Sequence, residues 1–164
     1  MDADQIVGSF GEPLARDPAS VNLDVLDRQI GFVARRALLA LRREFALEVQ
    51  AKPIVFNALV LVGANPGIAQ SSLARSLNLD KGTATHLIQE LEDAGWIERR
   101  SRLNDRRRKG VFLAPNGVQE VARLKAQVQP LFDRINGLYS VEELNQLLSL
   151  LNRLFEHLEP GIAE

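Results

Sequence analysis

The residues best suited to bind a charged partner are concentrated between Arg99 and Lys109. This segment carries one acid, Asp105, against seven cations, although the 164-residue chain as a whole has a net charge of −1. The cations are Arg99, Arg100, Arg102, Arg106, Arg107, Arg108 and Lys109. A partner rich in phosphates requires local positive potential rather than a positive total charge. The near-neutral total therefore conceals one strongly basic segment that favours an anionic partner.

A polar helix face precedes this basic segment. Apolar residues recur there with the spacing of a face that packs inward, namely Ala84, Leu87, Ile88 and Leu91. The opposite face carries Thr83, Thr85, His86 and Gln89. Their hydroxyl, imidazole and amide groups can match the donors and acceptors on base edges in the major groove of DNA. The alternative is a helix face that contacts only water.

Four further residues are weaker candidates for contacts with phosphates. They are Ser71, Ser72, Arg75 and Lys81. Contacts of this kind position a protein on DNA without specifying a base sequence. We therefore expect these residues to support binding rather than to select the site.

The sequence lacks the residue sets that catalysis requires. It has no cysteine and two histidines, His86 and His157, so thiol chemistry, disulfides and a histidine metal site are not expected. It contains no glycine-rich phosphate loop or serine elbow. We predict that the chain is not an enzyme and holds no metal or other cofactor. The acidic Asp2 and Asp4, with no apolar run of about 18 residues, predict a cytoplasmic protein without a membrane partner.

The first 67 residues predict an arm followed by two helices. Residues 1–20 contain two glycines and two prolines and predict a flexible arm. Apolar residues at three- and four-residue steps predict one long amphipathic helix from Val21 to about Val49. Pro53 suits the first turn of a second helix. Its apolar body, residues 54–61, should be buried and should end at residues 65–67.

Two short helical patterns then flank a tight turn. Residues 70–77 and 81–94 have the spacing of a helix-turn-helix. Asp80 is expected to cap the second helix and Gly95 to end it. Residues 96–100 and 110–113 predict two strands around a charged loop, which is a β-hairpin.

The charged loop of this hairpin is predicted to act as a wing. It contains Asp105, Arg106, Arg107 and Arg108. Guanidinium groups at this place can enter a narrow minor groove or bridge phosphates, and we expect Asp105 to orient one of them. The alternative is a charged turn that contacts only water. The position of the loop directly after the polar helix favours DNA.

The last third of the chain predicts two more helices. One begins at Pro115, runs to about Asn136 and should bend at Pro130. Ser140-Val141-Glu142-Glu143 matches a capping box at the start of the other. That final helix carries a broad apolar stripe of Leu144, Leu147, Leu148, Leu151, Leu154, Phe155 and Leu158. One small DNA-binding unit cannot cover this stripe, which favours a dimer interface; an intrachain helical bundle is the alternative.

Several short motifs with different structural roles occur in order along the chain. They are Asn65-Pro66-Gly67-Ile68-Ala69-Gln70, Leu73-Ala74, Leu91-Glu92, Gly95-Trp96-Ile97, Arg99-Arg100, Asp105-Arg106-Arg107 and Leu113-Ala114-Pro115-Asn116-Gly117. This order resembles the MarR family of regulators. The resemblance implies a two-fold dimer with interlocking terminal helices, recognition helices in successive major grooves of a pseudo-palindromic operator in double-stranded DNA, and wings in adjacent minor grooves.

The resemblance also implies a division of the chain. We expect a mainly α fold with a small β-hairpin wing. A winged helix-turn-helix DNA-binding domain would occupy residues 53–114, with N- and C-terminal dimerisation helices at 21–52 and 115–164 and the flexible arm at 1–20. Ala69 and Ala114 stand where the family often has a capping threonine, while Gly82 and His86 replace the more usual serine and arginine, so the family's contacts at these last two positions do not transfer.

The first long helix contains candidates for a ligand site. Arg35, Arg36, Arg42 and Arg43 alternate with Phe32, Leu39 and Phe45, which could combine an apolar slot with guanidinium groups that bind an anion. Such arginines commonly form only a solvated helix face. The pattern resembles MarR members that control aromatic-acid degradation. The predicted function is a repressor released by a small aromatic acid or its coenzyme A thioester; the alternative is a winged-helix architectural or protein-interaction module without ligand control.

Overall fold

The computed structural model describes residues 21–102 and 105–159, and side chains are described outside residues 102–108. The predicted arm, residues 1–20, lies outside this part. A 3-10 helix, Asp24–Arg28, comes first and is followed by α1 (Ile30–Glu48), α2 (Pro53–Ala64), α3 (Gln70–Ser76) and α4 (Lys81–Asp93). The strands β1 (Ile97–Arg102) and β2 (Asp105–Leu113) precede α5 (Pro115–Asn136) and α6 (Val141–Leu158). The expected mainly α fold with one β-hairpin is confirmed.

The described residues divide into two compact units, one up to Leu38 and one from Leu39 onward. In the described part of the first unit, the 3-10 helix has no buried residue. The second unit holds the hydrophobic core, which is centred on α2. Ala58, Leu59 and Val62 of this helix have no solvent exposure, and Leu124 of α5 is equally buried. The predicted burial of residues 54–61 is confirmed for Val55, Phe56, Ala58 and Leu59, whereas Ile54, Val60 and Leu61 are half-buried and Asn57 is exposed.

The helix-turn-helix forms as the sequence predicts. The inward residues of α4 are all buried, with exposures between 0% for Leu91 and 5% for Leu87. Asp80 caps α4, and its side chain accepts a hydrogen bond from the backbone N–H of Thr83. Gly95 ends the helix with a φ of 70°, a conformation that side chains with a Cβ rarely adopt. Both predicted helix signals are confirmed.

The hairpin has longer strands than the sequence predicts. β1 and β2 are antiparallel, with Ile97 opposite Leu113 and an irregularity between Ser101 and Arg102. Arg106, Arg107 and Arg108 therefore belong to a strand, so their assignment to a loop is wrong. Backbone hydrogen bonds hold an antiparallel ladder whatever the side chains are, and a strand rich in arginine lacks the apolar alternation by which strands are recognised in sequence.

The predicted long helix from Val21 to Val49 is also wrong in part. Gln29 is extended, with φ −86° and ψ 118°, and separates the 3-10 helix from α1. The Asn22 side chain accepts a hydrogen bond from the backbone N–H of Asp24 at 3.0 Å, and Asp24 has a φ of 53°. A local side-chain bond of this kind competes with helical pairing of the backbone. The apolar spacing continues across the break, which is why periodicity alone does not reveal it.

The helices at the C-terminal end begin as predicted. Ser140 and Glu143 form a complete capping box at the start of α6, and α5 begins at Pro115 and continues through Pro130. Ala69 and Ala114 supply no side-chain hydrogen bond to the helices that follow them, as expected. Within residues 21–102 and 105–159, no single helix is long and apolar enough to cross a membrane, and only α1 and α2 taken together, across a bend, meet that test.

Candidate nucleic-acid interface

The outer face of α4 presents the polar side chains that its sequence pattern predicts. Thr83, Thr85, His86 and Gln89 are all exposed. They are held in place because the opposite face of the same helix is packed into the core. The buried face fixes the rotation of α4 about its own axis, so the polar face can point only outward.

The cap of α4 also restrains Thr83. Its hydroxyl donates to one carboxylate oxygen of Asp80, while its backbone N–H donates to the other. The hydrogen bonds from Thr83 hold the pKa of Asp80 below its ordinary value, because they stabilise the ionised carboxylate. The hydroxyl proton of Thr83 is thus occupied, and this side chain offers DNA an acceptor.

Thr85 is fixed by two hydrogen bonds. Its hydroxyl donates to the backbone carbonyl of Lys81 at 2.8 Å and accepts from the Gln70 side-chain amide at 2.9 Å. Sequence reasoning missed Gln70. It is 15 residues from Thr85, and no local spacing rule connects the first residue of α3 with the fifth residue of α4. Gln70 therefore ties the two helices of the motif together at the surface.

The far end of the polar face is connected to the hairpin. Arg99 of β1 donates to the amide oxygen of Gln89 at 3.3 Å and forms an ion pair of 3.1 Å with Glu92. The amide nitrogen of Gln89 donates to Asp93 at 2.8 Å. The sequence places Arg99 in the basic segment and in the first predicted strand, but it does not predict a contact with α4. In the structure it bonds to α4.

The neighbouring arginine of the hairpin is also paired. Arg100 contacts the carboxylate of Glu98 and lies over the ring of Phe112, with 5.7 Å from its guanidinium carbon to the ring centroid. The hydrogen bond from Arg100 lowers the pKa of Glu98. Asp105, Arg106, Arg107 and Arg108 lie in the part of the hairpin whose side chains are outside the described set. Lys109 is exposed.

The four candidates for phosphate contacts lie on α3 and at the start of α4. Ser71, Arg75 and Lys81 are exposed, and Ser72 is half-buried. Ser71 and Lys81 border a shallow groove of about 510 Å³ between α3 and α4. A second open groove of about 470 Å³ runs from Lys52 to His86. The motif thus exposes hydroxyl and ammonium groups beside its polar helix face.

The ligand candidates all lie on α1. Arg35, Arg36, Leu39 and Arg43 are exposed and Phe32 is half-buried. The guanidinium carbon of Arg36 is 5.7 Å from the ring centroid of Phe32. Phe45, which the sequence pattern groups with them, is 7% exposed and packs against Phe56. Its inclusion in a ligand slot is therefore wrong, because it belongs to the core.

The described residues contain no group of three or more histidine or acidic side chains that could hold a metal ion.

Comparison with known proteins agrees with this geometry. The MarR family model matches residues 55–109. A Thauera aromatica protein proposed to be the transcriptional regulator of the hcr operon is 30% identical over 149 residues, covering 88% of this chain and 90% of its own. A crystal structure of a probable transcriptional regulator from Pseudomonas aeruginosa is 30% identical, with a TM-score of 0.70, over 79% of this chain and 98% of that chain.

Two solved structures of the transcriptional repressor CouR, each with a bound ligand, are similar to this chain. Bound to a 23-mer DNA duplex, it is 28% identical with a TM-score of 0.74, over 83% of this chain and 99% of its own. Bound to p-coumaroyl-CoA, it is 27% identical with a TM-score of 0.71, over 82% and 97%. The chain belongs to the MarR family. It is a DNA-binding transcriptional regulator of the MarR type with a winged helix-turn-helix.

Proposed function

We propose that the chain is a homodimeric repressor that binds a pseudo-palindromic operator and is released by an aromatic acid or its coenzyme A thioester. Residues 53–114 would read DNA, and the helical regions at 21–52 and 115–164 would form the dimer. The observation that carries the proposal is the outer face of α4. Four polar side chains are exposed there on a helix whose rotation is fixed by a buried opposite face.

Several properties of this face suit the major groove. Its exposed groups are hydroxyl, imidazole and amide groups, which can match the donors and acceptors on base edges. Lys81 and Arg75 stand at its border, where cations would meet the sugar-phosphate backbone. The basic hairpin follows directly and would add the contacts of a wing through Asp105, Arg106, Arg107 and Arg108.

The dimer is supported by the exposure of α6. None of its residues is buried, although Leu148, Leu151 and Phe155 lie on one apolar stripe and are 42–51% exposed. A contiguous apolar surface of this length is uncommon on a monomer and marks an interaction site. A two-fold dimer suits the task, because half-sites one turn apart on DNA are about 34–36 Å from each other.

Selection from a pool of random duplexes tests the DNA-binding proposal. The wild type should enrich a pseudo-palindromic sequence, with a dissociation constant about 10³-fold or more below that for unselected DNA. The triple variant Thr85→Ala/His86→Ala/Gln89→Ala should lose this preference while it keeps weak binding to any duplex. Gln119→Ala, an exposed glutamine of α5, serves as the control. Enrichment of the same sequence by the triple variant would contradict the proposal.

The wing has its own signature in such an assay. Replacing Arg106, Arg107 or Arg108 with alanine should weaken binding to selected and unselected duplexes alike. For each phosphate that a variant no longer neutralises, the slope of log affinity against log salt concentration should fall by about 0.9. If the slope of log affinity against log salt concentration were unchanged in all three variants, the wing would not be part of the interface.

Two observations support an effector with an aromatic ring and a negative charge. Exposed arginines line α1 close to Phe32 and Leu39, and guanidinium groups pair strongly with carboxylates and phosphates. CouR, a similar repressor, has been solved with p-coumaroyl-CoA. A ligand that binds better to a conformation with the wrong half-site spacing would lower DNA affinity by that difference.

Calorimetry with p-coumarate and p-coumaroyl-CoA tests this part. Binding of either compound to the wild type should be weakened in Arg36→Ala and Arg43→Ala and should release the selected duplex. Asn57→Ala, an exposed residue of α2, is the control. Specific DNA binding without release by either probe would favour the second candidate function, an architectural or protein-interaction module.

A further inference from the structure

The side-chain amide of Gln89 is held by two groups of opposite hydrogen-bonding character. The Nη2 of Arg99 donates to the amide oxygen of Gln89 at 3.3 Å. The amide nitrogen of Gln89 donates to a carboxylate oxygen of Asp93 at 2.8 Å. Arg99 comes from β1, and Asp93 lies one turn further along α4. The amide is therefore hydrogen-bonded at both its oxygen and its nitrogen, by groups on different elements.

These two contacts fix which end of the amide is oxygen and which is nitrogen. A guanidinium can only donate hydrogen bonds, and an ionised carboxylate can only accept them. Turning the amide over would place two donors together on one side and two acceptors together on the other. The Arg99 side chain is restrained from moving away, because it also forms an ion pair with Glu92 at 3.1 Å and is only 28% exposed.

These two contacts leave part of the hydrogen-bonding capacity of the Gln89 amide unused. An amide oxygen can accept two hydrogen bonds and an amide nitrogen can donate two, while Arg99 and Asp93 each take one. One acceptor position and one donor position therefore remain on an exposed residue of α4. The nearby carboxylates of Glu92 and Asp93 disfavour a phosphate at this place, since like charges repel, and so favour a neutral base edge.

We propose that Gln89 reads an adenine in each half-site and that Arg99 and Asp93 are positioning residues that fix the direction of its amide. Adenine presents the N6 amino group as a donor beside N7 as an acceptor in the major groove, which complements the remaining acceptor and donor of the amide. Guanine presents two acceptors, O6 and N7, one of which would face the amide oxygen. This inference rests on the proposed function, because it requires α4 to enter the major groove.

Replacing single adenines of the selected duplex with 7-deazaadenine tests the proposal. This base pairs normally but lacks the N7 acceptor. For the wild type, replacement at one adenine of a half-site should weaken binding by about 5-fold or more. For Gln89→Ala, replacement at that adenine should change nothing. The control is Gln129→Ala, which removes an equivalent glutamine–aspartate pair from α5 and should leave the wild-type profile.

The positioning role has a separate signature. In Asp93→Asn the neighbouring group can donate as well as accept, so only Arg99 still fixes the direction of the Gln89 amide. Discrimination of adenine against guanine at the same position should fall, while affinity for the selected duplex should fall less than in Gln89→Ala. Asp93→Glu keeps a carboxylate and should restore the discrimination, which a purely structural effect on the helix would not do.

The outcomes separate this inference from the proposed function. If Gln89→Ala responds to 7-deazaadenine at the same adenines as the wild type, Gln89 is not the reader, although operator binding stands. If the wild type enriches no sequence from the random pool, the failure lies with operator recognition itself.

Discussion

Helices α4 and α6 have similar amphipathic sequences but opposite surroundings. The inward leucines and isoleucine of α4 are at most 5% exposed, because α2, α3 and α5 of the same chain contribute to their core. On α6, Leu147, Leu148, Leu151 and Phe155 are 38–51% exposed. An apolar stripe therefore predicts a helix, but it does not tell which molecule covers it. The DNA-reading unit completes its core within one chain, whereas in the proposed dimer a partner covers α6.

The largest expected effect comes from placing charge on the stripe of α6. Leu148→Asp/Leu151→Asp should abolish the dimer at micromolar concentration, since each leucine buried at an interface contributes about 1.5–3 kcal/mol and two-fold symmetry doubles the number replaced. Sedimentation equilibrium measures the change. Asn152→Asp adds a negative charge at an exposed polar position of the same helix and should leave the dimer intact. A double variant that sediments as the wild type would place the interface elsewhere.

The matching change in α4 should act on folding within each chain. Leu91 has no solvent exposure, so Leu91→Ala should lower the free energy of unfolding by about 2–5 kcal/mol. Chemical denaturation at several protein concentrations measures this loss. The difference in free energy of unfolding between Leu91→Ala and the wild type should be the same at every protein concentration. The corresponding difference for the α6 double variant should depend on protein concentration. A Leu91→Ala loss below about 1 kcal/mol, on the order expected for surface sites, would contradict the described packing.

A smaller effect is expected where α5 begins. A Cβ added at Gly117 would collide with the backbone carbonyl of Trp96, which also accepts a hydrogen bond from Ala114 at 2.9 Å. Gly117→Ala should therefore destabilise the chain by about 1–3 kcal/mol, as overpacking does. Gly31→Ala, at a position with nothing within 4 Å, is the control and should be neutral or stabilising. Equal melting temperatures of the two variants would refute the close approach.

The smallest expected effect concerns the cap of α4 and its pH dependence. Asp80→Asn keeps an N-cap acceptor but removes the charge, so its Tm should be slightly below that of the wild type at neutral pH. The hydrogen bonds from Thr83 lower the folded-state pKa of Asp80, so its stabilisation is present above the unfolded pKa and is lost as pH falls through the folded one. The gap in Tm should close below about pH 4.

Thermal unfolding across a pH series measures this gap. Asp80→Ala, which removes the acceptor as well, should be less stable than Asp80→Asn at neutral pH. A gap between the wild type and Asp80→Asn that widens in acid would have the wrong sign and would exclude a lowered pKa for Asp80.

Elements marked by local signals could be predicted from the sequence. Pro53, Asp80, Gly95 and Ser140 each act on the backbone within a few residues, and the helix boundaries beside them were predicted correctly. Each of these residues supplies a fixed φ, a capping oxygen or a left-handed conformation that its neighbours cannot supply. The exposure of the polar face of α4 followed from its periodicity.

Features that depend on distant contacts could not be predicted. The break at Gln29 leaves the apolar spacing unchanged, and the arginine-rich strand β2 is held by backbone pairing. The partners of Thr85 and Gln89, namely Gln70 and Arg99, are 15 and 10 residues away. Contacts of this kind are set by how elements pack, which residue spacing does not encode. The candidate site was thus located by sequence, but the network that orients its side chains was not.

The central claim is that two copies of this chain present α4 and the hairpin to one side of a duplex. Hydroxyl-radical footprinting of the wild type on its selected operator tests it most directly. The account predicts two protected half-sites on one face, with centres about one helical turn apart, and the disappearance of both in the α6 double variant at the same protein concentration. A single protected patch that persists in that variant would contradict the account.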